Sequence, residues 1–111
     1  MNLPKKLIKA IENAGFSVSK DDNNMYDFGK YSSAGQDFHF HVDTGECLGD
    51  FLCNIFAYYQ GFDVSEETYY WLDDTGHGKN GAPYDMRDIY NDMEECEGFI
   101  DELYEIVREF C

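Results

Sequence analysis

Two histidines have the type and spacing that could bind a metal ion or serve as a general base. His39 and His41 lie two residues apart in a segment whose intervening positions are apolar, so on a strand both imidazoles occupy one face. Imidazole nitrogens bind zinc, but this spacing matches no recognised zinc motif, and polar side chains are common on the solvated face of a sheet. We therefore expect no bound metal and keep His39 and His41 as weak candidates. Further ligands would come from Asp37, Asp43, Cys47 or His77.

Cys47 is the candidate nucleophile, because it lies near the start of a predicted helix and close in sequence to both histidines. A thiol beside His39 or His41 would form a nucleophile–base pair. A small metal-dependent or thiol enzyme centred on His39, His41 and Cys47 is therefore the alternative hypothesis. Cysteine is also an ordinary small core residue, and this is our interpretation of Cys53 on the same helix. The sequence shows no signal peptide, so we expect a cytoplasmic protein with free thiols.

Residues 76–81 follow the glycine pattern G-x-G-x-x-G. In dinucleotide-binding proteins this pattern follows a strand and opens a helix, whereas here a predicted helix precedes it and Pro83 follows it. We therefore predict a glycine-rich loop over residues 73–83 between two helices, and no nucleotide. The acids of residues 21–27 likewise lack the central glycine and terminal glutamate of a calcium-binding loop. The sequence thus predicts no cofactor.

Carboxylates on the predicted C-terminal helix form the constellation that points most directly to a function. Side chains three or four residues apart are neighbours on a helix, and like charges there destabilise it by about 0.2–0.5 kcal/mol per pair. Rows of this kind indicate either a very soluble surface or a face that binds a basic partner. One row consists of Asp85, Asp88, Asp92 and Glu95, and the other of Glu97, Asp101, Glu105 and Glu109.

Aromatic residues precede this helix in a cluster that includes Tyr70 and Trp71. Tyr and Trp are enriched where protein interfaces concentrate their binding energy, so we predict that Tyr70 and Trp71 are apolar anchors beside the acids. Core packing is the alternative interpretation for most aromatic residues of the chain.

The whole chain carries 23 Asp and Glu against 8 Lys and Arg, a net charge of −15 on 111 residues. Nine Tyr, nine Phe and one Trp supply the apolar surface that acidic disordered chains lack. Residues 1–20 are net positive, whereas residues 85–111 hold ten acids against two arginines. Nucleic acids and anionic membranes are bound through Lys and Arg. The charge therefore argues against direct nucleic-acid or membrane binding and fits a basic protein partner.

The elements that must position these residues follow from apolar periodicity and turn residues. Apolar side chains recur at helical spacing near both ends of the chain and alternate in residues 37–43. The order α-β-β-β-α-α-α predicts a single acidic α+β domain over residues 1–111, with a three-stranded antiparallel sheet and about four helices. We predict helices over 3–14 and 46–60, a short helix that begins at the cap Ser65, a last helix over 85–110 capped by Asp85, and strands over 16–19, 26–31 and 37–43.

The predicted helices also assign buried faces. The stripe of the 46–60 helix is Leu48, Phe51, Leu52, Ile55, Phe56 and Tyr59, and that of the last helix is Met86, Ile89, Tyr90, Met93, Ile100, Leu103, Tyr104, Val107 and Phe110. Gly98 is the weak point of the last helix. No apolar run approaches the roughly 20 residues that span a bilayer.

Two segments of the chain resemble a family. Residues 31–38, YSSAGQDF, resemble a Y-S-P-A-G-E/Q-D-F segment, with Ser33 where the family often has proline. Residues 78–83, between Trp71 and the helix that opens near residues 86–88, resemble a W…G-x-x-G-x-P…R-x-L block. Both are similar to small acidic proteins of conjugative transposons and prophages of Gram-positive gut bacteria. The resemblance covers most of the chain and implies a genetic context, with no catalytic residue to carry over.

The combined expectation is a non-enzymatic mobile-element protein that binds a basic protein partner. Its specific form is an anti-restriction or anti-CRISPR inhibitor, or a DNA mimic that occupies a basic groove. A structural or regulatory adaptor of the same elements is a third hypothesis, and the oligomeric state stays open. The predicted partner-binding residues are Tyr70, Trp71, Asp85, Asp88, Asp92, Glu95, Asp101 and Glu105.

Overall fold

The computed structural model describes residues 1–72 and 85–111, and the order α-β-β-β-α-α-α with a three-stranded antiparallel sheet is confirmed. The predicted glycine-rich loop, with His77, lies outside the described residues. The elements are α1 Lys5–Asn13, β1 Ser17–Lys20, β2 Met25–Tyr31, β3 Asp37–Asp43, α2 Leu48–Gly61, α3 Val64–Tyr70 and α4 Met86–Arg108.

The sheet has one apolar and one polar face, as the alternation in β3 predicts. The strands are ordered β1-β2-β3, and the central pairing places Phe28 opposite Phe40. Both rings are buried, whereas His39 and His41 on the same strand are exposed. Gly35 closes the β2–β3 turn at φ +93°, a backbone conformation that side chains with a Cβ rarely adopt. The polar face therefore presents both histidines to solvent.

Helices α1, α2 and α4 bury their apolar faces in one core with the inner side of the sheet. The ring of Phe28 lies 5.8 Å from that of Phe40 and 5.8 Å from that of Phe51 on α2. Burial of each such side chain contributes about 1.5–3 kcal/mol. The fully buried aliphatic residues come from three helices: Leu7, Ile11, Ile55, Ile89, Ile100, Leu103 and Val107.

Lys30 ties α1, the sheet and α4 together. Its ammonium donates to the carbonyl of Ala14, just past the end of α1, at 2.9 Å and to Glu102 on α4 at 2.5 Å. The same nitrogen lies 4.8 Å from the ring centroid of Phe16 and 5.0 Å from that of Phe99. The charge is thus shared between an ion pair and two aromatic faces, and it fixes α4 across the end of the first helix.

Several local expectations need correction. The cap of α3 is Asp63 rather than Ser65, because the Asp63 carboxylate accepts from the backbone N–H of Ser65 at 3.0 Å and of Glu66 at 3.2 Å. Cys53 is exposed rather than packed in the core. Asp85 does cap α4, since its carboxylate accepts from the N–H of Asp88 at 3.0 Å.

Four residues assigned to buried helical faces are exposed instead: Phe56, Met86, Tyr90 and Phe110. The Phe56 ring packs against Tyr104 with centroids 5.9 Å apart, so the pair covers part of the α2–α4 surface without entering the core. None of the helices within residues 1–72 and 85–111 is long and apolar enough to cross a membrane.

Candidate functional site

Helix α4 presents four exposed acids along the side away from the core, in a row that Gly98 interrupts. Positions 94, 98, 101, 105 and 109 are three or four residues apart, so they lie along one face, and all five residues are exposed. We call Glu94, Asp101, Glu105 and Glu109 the acidic stripe. The opposite face buries Ile89, Met93, Ile100, Leu103 and Val107 in the core, and this burial holds the stripe outward.

Basic side chains neutralise little of this charge. Among the described residues only two ion pairs join a Lys or Arg to an acid, Lys30–Glu102 at 2.5 Å and Arg108–Glu105 at 3.7 Å. The second pair is exposed on both sides and contributes at most about 1 kcal/mol. The acidic stripe is therefore an uncompensated negative surface.

The first predicted row of acids is partly absorbed into the fold. Asp92 is only 3% exposed, so the expectation that it lies on an exposed ridge is wrong. Glu95 accepts hydrogen bonds from the backbone N–H and the hydroxyl of Ser33, both at 2.9 Å, and so anchors the β2–β3 turn to α4. Asp88 is exposed, and Asp85 is exposed while capping the helix. Of the six predicted acids, Asp85, Asp88, Asp101 and Glu105 face solvent.

Asp92 occupies an unfavourable site for a charge. Neither of its carboxylate oxygens has a hydrogen-bond donor among the described residues. Burial raises the pKa of the Asp92 carboxyl, the charge of Glu95 adds to the effect, and the Ser32 hydroxyl acts in the opposite direction. Burial likewise raises the pKa of the nearby Cys96 thiol to about 12, with Asp92, Glu95 and Glu67 adding to it. Cys96 is therefore held as an unreactive thiol.

The predicted aromatic anchors differ in position. Tyr70 is 52% exposed and donates from its hydroxyl to Glu66 at 2.5 Å, which raises the pKa of that phenol. Trp71 is half-buried and packs against the core at the end of α3. The Tyr70 ring is therefore exposed to solvent, whereas the half-buried Trp71 side chain packs against the core.

A groove lies between α3 and α4, and none of the acids predicted to bind a partner lines it. One cavity of about 540 Å³ is lined by Ser65, Thr68, Met86, Arg87 and Tyr90. A second cavity of about 430 Å³ shares Ser65 and Tyr90 with it and extends along the acids of both helices. In the sequence only Met86 and Tyr90, two apolar side chains of α4, indicate this groove, because the placement of α3 against α4 depends on tertiary packing.

Histidines and aspartates form a hydrogen-bonded network on the polar face of the sheet. The Nδ1 atom of His39 lies 2.8 Å from Oδ2 of Asp27, and its Nε2 atom lies 2.9 Å from Oδ1 of Asp37. The Nε2 atom of His41 lies 3.2 Å from Asp21 and 3.6 Å from Asp27. Partial burial lowers the pKa of His39, but the hydrogen bonds and charges of Asp27 and Asp37 outweigh it and raise that pKa overall.

Gly29 makes room for this network. It pairs with His39 across the sheet, and a Cβ at this position would overlap the imidazole ring. With both ring nitrogens of His39 facing carboxylates, this imidazole presents no free nitrogen to a metal. Within the described ranges no three His, Cys, Asp or Glu residues are placed to hold a metal ion.

Cys47 is exposed at the start of α2. No hydrogen bond joins it to His39 or His41 in the part of the chain that the structure describes, where both histidines are engaged with aspartates. The three residues of the alternative enzyme hypothesis are therefore not assembled as a nucleophile–base pair.

Comparisons with known proteins add no family to this picture. No protein-family model, no curated protein and no solved structure matches the chain. The similarity of residues 31–38 and 78–83 to acidic mobile-element proteins stays a prediction, carried by those residues alone.

Proposed function

We propose that this protein is a non-enzymatic module that binds a basic protein through the exposed acids of α4. The single observation that carries the proposal is the acidic stripe, which lies opposite the buried face of a 23-residue helix and is paired with only one arginine among the described residues. A rigid helix docked on the core presents these carboxylates in a fixed row.

The electrostatics of such a row favour association more than folding. Neighbouring like charges on a helix destabilise it by about 0.2–0.5 kcal/mol per pair, and lysines four residues away would relieve this. A basic partner would remove the repulsion on binding and would be drawn to the surface over about a Debye length, roughly 8–10 Å at physiological salt. The salt dependence of binding is therefore the signature of this function.

The specific form that we propose is an inhibitor that takes the place of nucleic acid on a basic enzyme surface. From Asp101 to Glu109 the stripe carboxylates recur every four residues, at separations of about 5–6 Å. A DNA strand places one phosphate per about 3.4 Å of axis, so the two rows are alike in sign and similar in scale. The family resemblance supports defence nucleases as partners, because mobile elements must escape them.

A displacement assay tests this form. A restriction endonuclease or CRISPR effector from a Gram-positive host is loaded with fluorescent duplex DNA, and release is followed as the protein is added. We expect release that weakens about tenfold or more when salt is raised from about 50 to 200 mM. The variant Asp101→Asn, Glu105→Gln, Glu109→Gln should weaken release about tenfold, since three contacts with the partner are lost.

A matched variant controls for net charge. Glu12→Gln, Asp22→Asn, Glu46→Gln removes three exposed acids from α1, the β1–β2 turn and the segment before α2. It should release DNA within about twofold of the unmodified protein, because none of these acids belongs to α4. Equal loss in both variants would show that only net charge matters and would remove α4 as the site.

A further inference from the structure

The groove between α3 and α4 has two ends of different chemistry. The cavity of about 540 Å³ is lined by Thr68, Met86 and Tyr90, together with Ser65 and Arg87. The cavity of about 430 Å³ is lined by Asp63, Glu94 and Glu97 among others. The two cavities adjoin at Ser65 and Tyr90, which line both, and we call them together the α3–α4 groove.

The first end offers apolar surface that the fold leaves uncovered. Met86 is 59% exposed and Tyr90 is 41% exposed, and they precede the exposed Glu94 in the same helical row. Thr68, which donates its hydroxyl to the carbonyl of Val64 at 2.7 Å, is already buried by the fold. An aliphatic side chain placed here would bury apolar area against Met86 and Tyr90.

The second end is acidic, and no lysine or arginine within residues 1–72 and 85–111 pairs with its glutamates. Asp63 uses one carboxylate oxygen to cap α3, and neither Glu94 nor Glu97 forms an ion pair with a Lys or Arg of the described segments. Arg87 lies at the opposite, apolar end. Three acids therefore line the groove beyond Tyr90 and one arginine lines its other end, and we call this difference the charge gradient of the groove.

We propose that the α3–α4 groove binds a short basic segment of a partner protein, with one bulky aliphatic side chain at Met86 and Tyr90 and lysine or arginine side chains against Asp63, Glu94 and Glu97. The proposal rests on the proposed function, because it describes the chemistry of the same basic partner. The charge gradient selects one orientation, since reversing the segment would place its cations beside Arg87. The cavity volumes, within the roughly 300–1,000 Å³ range of ligand pockets, suit a peptide segment.

Fluorescence anisotropy with synthetic peptides tests the occupant. The probe is a fluorescein-labelled peptide with one leucine two residues before three lysines in a Gly/Ser background, and its controls replace the leucine with serine or the lysines with glutamine. We expect the leucine–lysine peptide to bind about fivefold or more tightly than either control peptide. Equal binding of the leucine and serine peptides would overturn the proposal.

Two charge-matched variants locate the site. Glu94→Gln, Glu97→Gln should weaken the leucine–lysine peptide about fivefold to tenfold, whereas Asp22→Asn, Glu46→Gln removes two exposed acids outside α4 and should change binding less than about twofold. If both variants weaken the peptide equally, the groove is not the site and the net charge of the protein accounts for binding. That result overturns the groove while leaving the DNA-displacement assay to decide the proposed function.

The apolar end is tested with Met86→Ser, Tyr90→Ser, which should abolish the preference for leucine over serine. Circular dichroism must show unchanged folding, and Met86→Gln alone, at an exposed position, provides a milder variant that should lower the preference about twofold or more. Sedimentation is expected to give the same oligomeric state for the unmodified protein and for these variants. A dimer that Met86→Ser, Tyr90→Ser dissociates would mean that a second copy fills the groove, and would overturn the proposal.

Discussion

Asp92 is the residue whose chemistry fits its surroundings least. A carboxylate that is 3% exposed and accepts no hydrogen bond of normal geometry among the described residues loses solvation that the Ser32 hydroxyl offsets only in part. Burial raises the pKa of this carboxyl, and Glu95 adds to the shift. The negative charge of Asp92 therefore destabilises the folded state at neutral pH, and protonation of the carboxyl removes this destabilisation.

Asp92→Asn is expected to raise the free energy of unfolding at pH 7 by about 1–2 kcal/mol, since an amide is neutral. In the unfolded chain the carboxyl ionises near pH 3.9, and in the folded protein its pKa is raised. Relative to the Asp92→Asn variant, the unmodified protein therefore loses stability as pH rises above about 4 and through the folded pKa of Asp92. Below about pH 4 the difference in stability between the two proteins vanishes. Urea unfolding across this range measures it.

The exposed Asp88 provides the matched control. Asp88→Asn should change the free energy of unfolding by less than about 0.5 kcal/mol at every pH. Parallel pH profiles for Asp92→Asn and the unmodified protein would contradict a raised pKa at Asp92.

The burial of Asp92 could have been predicted from the sequence with a wider apolar pattern. Positions 89, 92, 96, 99 and 103 form one helical row. Cys96 and Phe99 are buried, but the predicted apolar face of the last helix leaves both out, and Asp92 was assigned by its charge to an exposed row. The prediction that Asp101 and Glu105 are exposed is confirmed, because no buried residue lies next to them in their own row of positions 94, 98, 101, 105 and 109.

Among the elements, the strands and helices follow the sequence closely. The last helix, predicted over 85–110, is Met86–Arg108, and the third strand is Asp37–Asp43 as predicted. Alternation of Phe40 and Val42 with polar residues sufficed for that strand, since only one face of a sheet meets the core. The α3–α4 groove was not predictable, because it depends on how two helices pack and on side chains that apolar periodicity assigns to the core.

Gly98 gives α4 a position that can be improved without touching the core. No heavy atom lies within 4 Å of a Cβ built at Gly98, and its φ is not in the left-handed region. Gly98→Ala should raise the free energy of unfolding by about 0.8–1.0 kcal/mol, with a melting temperature several degrees higher. Gly15→Ala provides the contrast, because φ +101° strains any Cβ, and it should destabilise the protein. A Gly98→Ala variant no more stable than the parent would argue against a regular helix there.

The molecule as a whole carries a net charge of −15, and residues 85–111 contribute ten acids against two arginines. Self-repulsion at this charge opposes the compact state and is screened by salt. The same repulsion keeps copies of the protein apart in solution. The stability of the fold should therefore rise with ionic strength, whereas binding to a basic partner should weaken.

Raising NaCl from about 0.02 to 0.3 M should increase the free energy of unfolding, measured in urea, by on the order of 1 kcal/mol. The Asp101→Asn, Glu105→Gln, Glu109→Gln variant should show a smaller increase, since it lacks three charges of the stripe. A midpoint that is unchanged or falls with salt would mean that attractive pairs outweigh repulsion in the folded state.

The reactivity of the single buried thiol, Cys96, can report how often α4 separates from the core. Cys47, Cys53 and Cys111 are exposed, whereas Cys96 is buried and its pKa is raised to about 12. Once the three exposed cysteines are replaced by serine, an alkylating reagent can reach Cys96 only when α4 separates from the core. The rate of modification then reports the fraction of molecules in which the helix has opened, under native conditions and without denaturant.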